Sequence, residues 1–223
     1  MSSDSAYLAD DYATKRDDYF TSARIDYVAQ LPADPGAAIL ELGCGNGATG
    51  ALALSRGKCG TYVGIEMFEP AAAEARNVLT AVHVGDVAVL DLPYPPGTFD
   101  ALICSEVIEH LVDPEPVLRR LIALLKPGGV IYASSPNLSH WKIVSRLIRG
   151  RFDYEDFGAM DRTHLRWFTP RSYRALFESA GAETIFVRRL APIRGLKKLL
   201  LGLLAPVKHL FWYQIDYRGR RPG

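Results

Sequence analysis

The run Glu41-Leu42-Gly43-Cys44-Gly45-Asn46-Gly47 sets a carboxylate just ahead of three glycines at alternate positions. Glycine accepts positive φ and carries no side chain, so such a loop lets the backbone lie against a ligand. Dinucleotide-binding enzymes carry Gly-x-Gly-x-x-Gly at a comparable place, whereas this loop reads Gly-x-Gly-x-Gly. Glu41 can bind an ammonium, directly or through water, and would repel a pyrophosphate, which points to a zwitterion without phosphate. Glu66 follows by the ~20 residues at which an acid bonds both hydroxyls of an adenosine ribose. Asp86, closing Val84-Gly85-Asp86, can accept from an adenine amino group, while Val87 and Met67 offer apolar faces to the purine.

A second group, Glu106-Val107-Ile108-Glu109-His110, suits chemistry on an acceptor. His110 is the candidate general base for an acceptor hydroxyl, with Glu106 and Glu109 beside it. An alternative use of the same residues is a divalent metal held by Glu106, Glu109, His110 and His164, which would acidify one of two neighbouring hydroxyls. The reading adopted has no metal, with Glu109 and His110 capping the turn before the next helix. Between Ser135 and Thr169, Trp141, Phe152, Tyr154, Phe157, Trp167 and Phe168 lie among several arginines, as in a lid over the acceptor. His140, Trp141, Arg151, Tyr154, His164 and Arg166 are its candidate acceptor contacts, the arginines gripping a phosphate or carboxylate.

These groups need a frame that brings strand ends together. From Ala37 onward, short apolar runs alternate with stretches of helical spacing, the pattern of a mainly parallel sheet covered on both faces. Strands are expected at Ala38–Leu42, Thr61–Ile65, Ala81–Val84, Asp100–Cys104 and Val130–Ala133, with a last one at Phe211–Tyr217. Helices are expected at Gly47–Arg56, Glu69–Leu79, Pro114–Leu125 and Pro170–Ala180, the last two opening with proline. Lys126-Pro127-Gly128-Gly129 reads as a sharp stop, Ile193–His209 as an amphipathic helix, and Arg218–Gly223 as a frayed tail.

With Glu41, the glycine loop, Glu66 and Asp86 in register, and with Phe99-Asp100 and Leu125-Lys126-Pro127-Gly128-Gly129 further on, residues 37–190 resemble class I S-adenosylmethionine-dependent methyltransferases. The resemblance implies an α/β fold: a Rossmann-like, doubly wound seven-stranded sheet, mostly parallel with an antiparallel last strand and helices on both faces. It implies S-adenosylmethionine as donor and S-adenosylhomocysteine as product, held by Glu41, Gly43, Cys44, Gly45, Gly47, Glu66, Met67, Asp86 and Val87. It also implies that Ser105 and Glu106 flank the sulfonium and that Tyr19 or Arg24 closes over the donor. The corresponding division is N-terminal helices over the donor at 1–36, the donor-binding core at 37–134, the lid at 135–169, and C-terminal helices and last strands of the same domain at 170–217.

Glu106 to His110, together with Asp161-Arg162-Thr163-His164-Leu165-Arg166-Trp167-Phe168-Thr169, is similar to two metal-using groups, the small-RNA 2′-O-methyltransferases and the ubiquinone-pathway O-methyltransferases. The former carry further histidines that this chain lacks. Pro136-Asn137-Leu138-Ser139-His140-Trp141 and its continuation resemble a bacterial methyltransferase group associated with glycan and lipid assembly. The resemblance therefore implies O-methylation of a hydroxyl on a sugar, glycolipid or related small metabolite. RNA 2′-O-methylation and a non-catalytic donor-binding accessory role are the alternatives.

Composition sets outer bounds. A chain of 223 residues, 48% hydrophobic and 23% charged, suits one domain. No run approaches ~18 uninterrupted apolar residues and no secretory signal is visible, so a cytoplasmic protein without a membrane span is expected. Cys44, Cys59 and Cys104 lack disulfide or zinc spacing. Residues 1–139 hold 9 basic and 18 acidic residues, and residues 140–223 hold 17 and 7, so the last third is cationic. That field suits a small, anionic acceptor. RNA is disfavoured because no recognised RNA-binding module is present. A homodimer is compatible with the sequence, and Lys197, Lys198 and Lys208 leave membrane docking of the terminal helix as an alternative.

Overall fold

The computed structural model describes residues 23–190 and 205–223. The apolar runs form β1 (Ala38–Leu42), β2 (Thr61–Glu66), β3 (Ala81–Val84), β4 (Phe99–Ser105) and β5 (Leu125–Pro136), followed by β6 (Glu183–Arg189) and β7 (Gln214–Arg220). They make one seven-stranded sheet in the order β3-β2-β1-β4-β5-β7-β6. The strands from β3 across to β5 pair in parallel, and β7 runs antiparallel to both its neighbours. The helices are α1 (Ile25–Gln30), α2 (Ala48–Ser55), α3 (Glu69–Ala75), α4 (Pro114–Ala123), α5 (Trp141–Ile148) and α6 (Pro170–Ser179).

Why the strands read as nearly continuous apolar runs is visible in the two cores. Leu40, Leu42, Leu102 and Ile131 meet Leu118 and Leu121 of α4 and Tyr173 and Phe177 of α6 on one face. Ile39, Ala101, Ile103 and Tyr132 meet Tyr27 and Val28 of α1, Ala53 of α2 and Ala75 of α3 on the other. Successive side chains point to opposite faces, so a strand buried on both must be apolar throughout. The connections reverse between β1 and β4, and a crevice opens at the carboxyl ends of these strands, where open α/β sheets take their ligands. No helix among the described residues is long and apolar enough to cross a membrane.

β1 and β3 have their expected bounds, and β2 and β4 are slightly longer than expected. The other differences have local causes. β5 begins at Leu125, the last residue of the expected helix, and runs through Lys126–Gly129, the expected stop, because Leu125 pairs with Phe99 before a shift in register. The Lys126 amine pins this extension to the Asp100 carboxylate at 2.8 and 2.9 Å. The expected frayed tail is instead part of the sheet, with Arg218, Gly219 and Arg220 paired to Tyr132, Ile131 and Val130. The Arg218 guanidinium is buried between the rings of Tyr27 and Tyr132, at 4.5 and 4.1 Å, and is paired with Asp216. The last strand starts later than expected because Ala205–Phe211 is a 3₁₀ helix. β6 supplies the seventh strand, which the sequence places only within the last strands of 170–217, and α5 was not anticipated. The remainder of the Ile193–His209 helix expectation, and Tyr19, lie outside the described residues.

Candidate active site

At the end of β1 the chain turns through Gly43, Gly45 and Gly47, with φ of 71°, 54° and 84°. The turn is hung on β2 by the N–H groups of Gly43 and Cys44, which both donate to the Ile65 carbonyl. At Gly43 a Cβ would sit 3.0 Å from Val107 Cγ2, so positive φ and close approach both demand glycine there. Glu66 closes the loop from beneath: Oε2 accepts from Gly45 N–H at 2.8 Å, and Oε1 from Met67 and Phe68 N–H at 2.9 Å each. Burial pushes the Glu66 carboxyl upward, while these three donors oppose the shift.

Glu41 is buried and accepts from the Tyr62 hydroxyl at 2.8 Å. Burial pushes its carboxyl up to about 7, so an ammonium beside it would restore the charged form. Asp86 Oδ1 accepts from Ala88 N–H at 2.9 Å, and its carbonyl accepts from Val89 and Leu90, which fixes the turn carrying Val87. Arg24, just before α1, donates to Ser134 Oγ at 2.8 Å and also to Ser105 Oγ. Asp26 holds the guanidinium by two 2.9 Å bonds.

Beyond β4, Glu106 is the only non-glycine residue with positive φ among those described, at 50°. The chain then makes one 3₁₀ turn, Ile108–His110, that buries Glu109 and His110. The segment expected to form a lid is tied to this turn: Leu165 and Arg166 N–H both donate to the Glu109 carbonyl, and His110 Nδ1 lies 3.1 Å from the Thr163 carbonyl. With Nδ1 protonated toward that carbonyl, the ring's basic nitrogen is Nε2. The rings of His110 and His164 are 4.8 Å apart, and ligand atoms of Glu109, His110 and His164 all lie within 4.8 Å of one another.

The two Glu109 oxygens are buried and accept no hydrogen bond of normal geometry among the described residues. Burial, reinforced by the neighbouring Glu106, holds the Glu109 carboxyl well above the usual carboxylate range. A divalent cation fits this donor set, since it would satisfy an orphaned carboxylate beside two imidazoles. Glu106 stands apart from that trio: Oε2 accepts from Gln214 Nε2 at 3.1 Å, while Oε1 is buried without a partner.

One cavity of about 840 Å³ joins the two groups. Its wall includes every expected donor residue except Gly47, together with Arg24, Glu109, His110 and His164. Gly47 instead ends the loop as the N-cap of α2. The other five expected acceptor contacts do not reach the wall. His140 is packed against Tyr213 and Trp141, and its pKa is lowered by burial and by Lys142 and Arg189. Trp141 and Tyr154 are exposed, Arg151 is paired with Asp153, and Arg166 bonds the carbonyls of Leu165 and Val112. Asp161, Phe157 and Gln214 line the cavity although the sequence did not single them out as contacts. Gln214 gets there because β7 is antiparallel, which brings its first residue to the carboxyl edge of the parallel strands.

A doubly wound sheet with its seventh strand reversed, and carboxylates presented at the carboxyl ends of β1, β2 and β3 around a glycine turn, defines the class I S-adenosylmethionine-dependent methyltransferase fold. Residues 12–186 match the family described as "Methyltransferase domain", and the chain belongs to it. A ubiquinone biosynthesis O-methyltransferase of Xanthomonas campestris pv. campestris (strain B100) is 33% identical over 147 residues, 60% of this chain and 62% of that protein. The namesake from Chromobacterium violaceum is 33% identical over 117 residues, 51% of this chain and 50% of the relative. The chain thus spans between half and about three-fifths of the length of these relatives. An S-adenosylmethionine-dependent methyltransferase of Mesorhizobium loti superposes with a TM-score of 0.62 at 18% identity, covering 90% of this chain and 98% of that one. A chain from the complex of the Haloferax volcanii Trm112 methyltransferase activator with a methyltransferase gives 0.63 at 19% identity, covering 98% and 95%. These two likenesses concern the fold.

Proposed function

We propose that the protein transfers the methyl group of S-adenosylmethionine to a hydroxyl of a small acceptor, a sugar, glycolipid or related metabolite, with His110 as the base. The observation that carries this reading is the buried trio Glu109, His110 and His164 in the same cavity as the glycine loop. Transfer from a sulfonium is an in-line displacement, so the protein's tasks are to align the acceptor, exclude water and take the hydroxyl proton. His110, held through Nδ1 by the lid carbonyl of Thr163, is suited to the last task. Glu41, Glu66 and Asp86 would hold the ammonium, ribose and adenine of the donor. The sugar or glycolipid class is supported by the resemblance of the lid sequence, and the O-methyl relatives support oxygen as the atom methylated.

The orphaned Glu109 carboxylate favours a second reading, in which Glu109, His110 and His164 hold a divalent cation. When bound, the ion would supply Lewis-acid activation of an acceptor hydroxyl. Screening hydroxylated sugars and glycolipids for methylation, with and without chelator, tests both readings. Under the first, His110→Ala lowers turnover by ~10²-fold or more with donor affinity unchanged. Equal loss of S-adenosylhomocysteine binding in that variant would remove His110 from the chemistry. Under the second, manganese raises the melting temperature of the donor-free protein but not that of Glu109→Ala.

A further inference from the structure

Helix α5 separates its residues sharply. At 100° per residue, Trp141, Ile143, Val144, Leu147 and Ile148 occupy one arc, and Lys142, Ser145 and Arg146 the other, with Arg149 continuing the polar side. Yet only Ile143 of the five apolar side chains is buried, and Trp141 and Ile148 are 47% and 81% exposed. The chain that follows the helix exposes Phe152, Tyr154 and Phe157 as well. So many exposed large apolar side chains within one short segment mark an interaction site.

The charges indicate what occupies it. α5 contains no acidic residue, and the acids that follow it, Asp153, Glu155 and Asp156, are paired with Arg151, Arg146 and Arg162. The Arg149 guanidinium bonds only Ser145, and the Lys142 amine stands 6.0 Å over the Trp141 ring, so neither meets a carboxylate among the described residues. Aliphatic side chains flanked by aromatic rings and unneutralised cations are the makeup of a helix lying in a lipid interface: the apolar arc enters the acyl boundary, Trp and Tyr sit at headgroup level, and Lys and Arg meet anionic headgroups. The same segment reaches the cavity through Phe157, which lines its wall together with the exposed Val89 and Val112.

We infer that α5 and residues 149–157 dock the protein on an anionic lipid surface, turning the cavity mouth toward the bilayer so that an acceptor held in the interface can enter. The docking rests on this face alone and stands independently of the acceptor assigned above. Sedimenting the full chain with vesicles of phosphatidylcholine alone, and of phosphatidylcholine mixed with phosphatidylglycerol, tests it. The expected result is retention by the anionic vesicles only, weakening with salt, lost in Ile148→Glu, and reduced about fivefold by each of Lys142→Gln and Arg149→Gln. S-adenosylhomocysteine affinity should be the same in all three variants, which reports an intact donor site. Absence of retention at low salt overturns the inference, as does retention indifferent to Ile148→Glu. A dimer in sedimentation velocity that Ile148→Glu dissociates, without vesicle binding, would instead assign the face to a second copy of the chain.

Discussion

The two sides of the cavity are built on opposite terms. On the donor side each carboxylate is bonded from within, and none of their oxygens is buried without a partner: Glu66 takes three backbone N–H groups, Glu41 a tyrosine hydroxyl, and Asp86 the N–H of its own turn. On the acceptor side Glu109 has neither oxygen bonded among the described residues, Glu106 has one, and Glu106 holds a left-handed backbone. A buried polar atom without a partner is destabilising, and strained backbone collects at functional sites. The donor side is therefore preformed by its own hydrogen bonds, whereas the acceptor side is completed by what it binds.

The sharpest way to break that contrast is to remove one carboxylate from each side. Glu66→Ala strands the N–H groups of Gly45, Met67 and Phe68, and should lower unfolding free energy by about 3 kcal/mol. In calorimetry it should also abolish donor binding. Glu109→Met exchanges an unpaired buried carboxylate for an apolar side chain of similar size and should raise stability by about 1 kcal/mol or more, with acceptor methylation lost. Opposite signs in denaturant unfolding would uphold the contrast, and equal losses would end it.

A finer probe is pH. The folded Glu41 value of about 7 lies above its ordinary 4.5, so the ligand-free protein holds an extra proton between those values and loses stability as pH rises through that window. Pairing with the donor's ammonium requires that proton to leave. Donor affinity should therefore climb with pH, by up to about tenfold per unit below 7, and level off above it. Glu41→Gln should remove the slope, and titrations in buffers of different ionisation enthalpy should show the released proton. The smallest effect belongs to the lid surface: Arg151→Ala breaks only an exposed pair with Asp153 and should shift stability by less than about 0.5 kcal/mol, leaving donor affinity unchanged.

The same division explains what could be read in the sequence. Each expected donor carboxylate lies at or just past the carboxyl end of a short apolar strand, so local spacing located Glu41, Glu66 and Asp86 together with β1, β2 and β3. The acceptor side is assembled from distant pieces. Gln214 arrives on a strand whose direction local pattern does not encode, and Asp161 is buried only because the lid folds onto the Ile108–His110 turn. The lid arginines looked like anion ligands, yet Arg146, Arg151 and Arg162 are paired with Glu155, Asp153 and Asp156 from the same segment. β6 could not be given bounds because its side chains are half-buried or exposed and give little apolar contrast. The tail looked frayed because its arginines and glycine read as solvent-loving, while ring faces shield Arg218 within the sheet.

The position of β7 between β5 and β6 also sets an order of assembly. β6 has no strand to lie beside until residues 214–220 have been made, whereas β1 to β5 can pair as soon as residue 136 is available. On a growing chain the donor half can reach its final pairing first, and the sheet then closes by a late insertion between two earlier strands rather than by growth at an edge. Truncation before residue 214 would expose two strand edges at once, so a C-terminal degradation product of this protein should aggregate rather than survive as a smaller folded form.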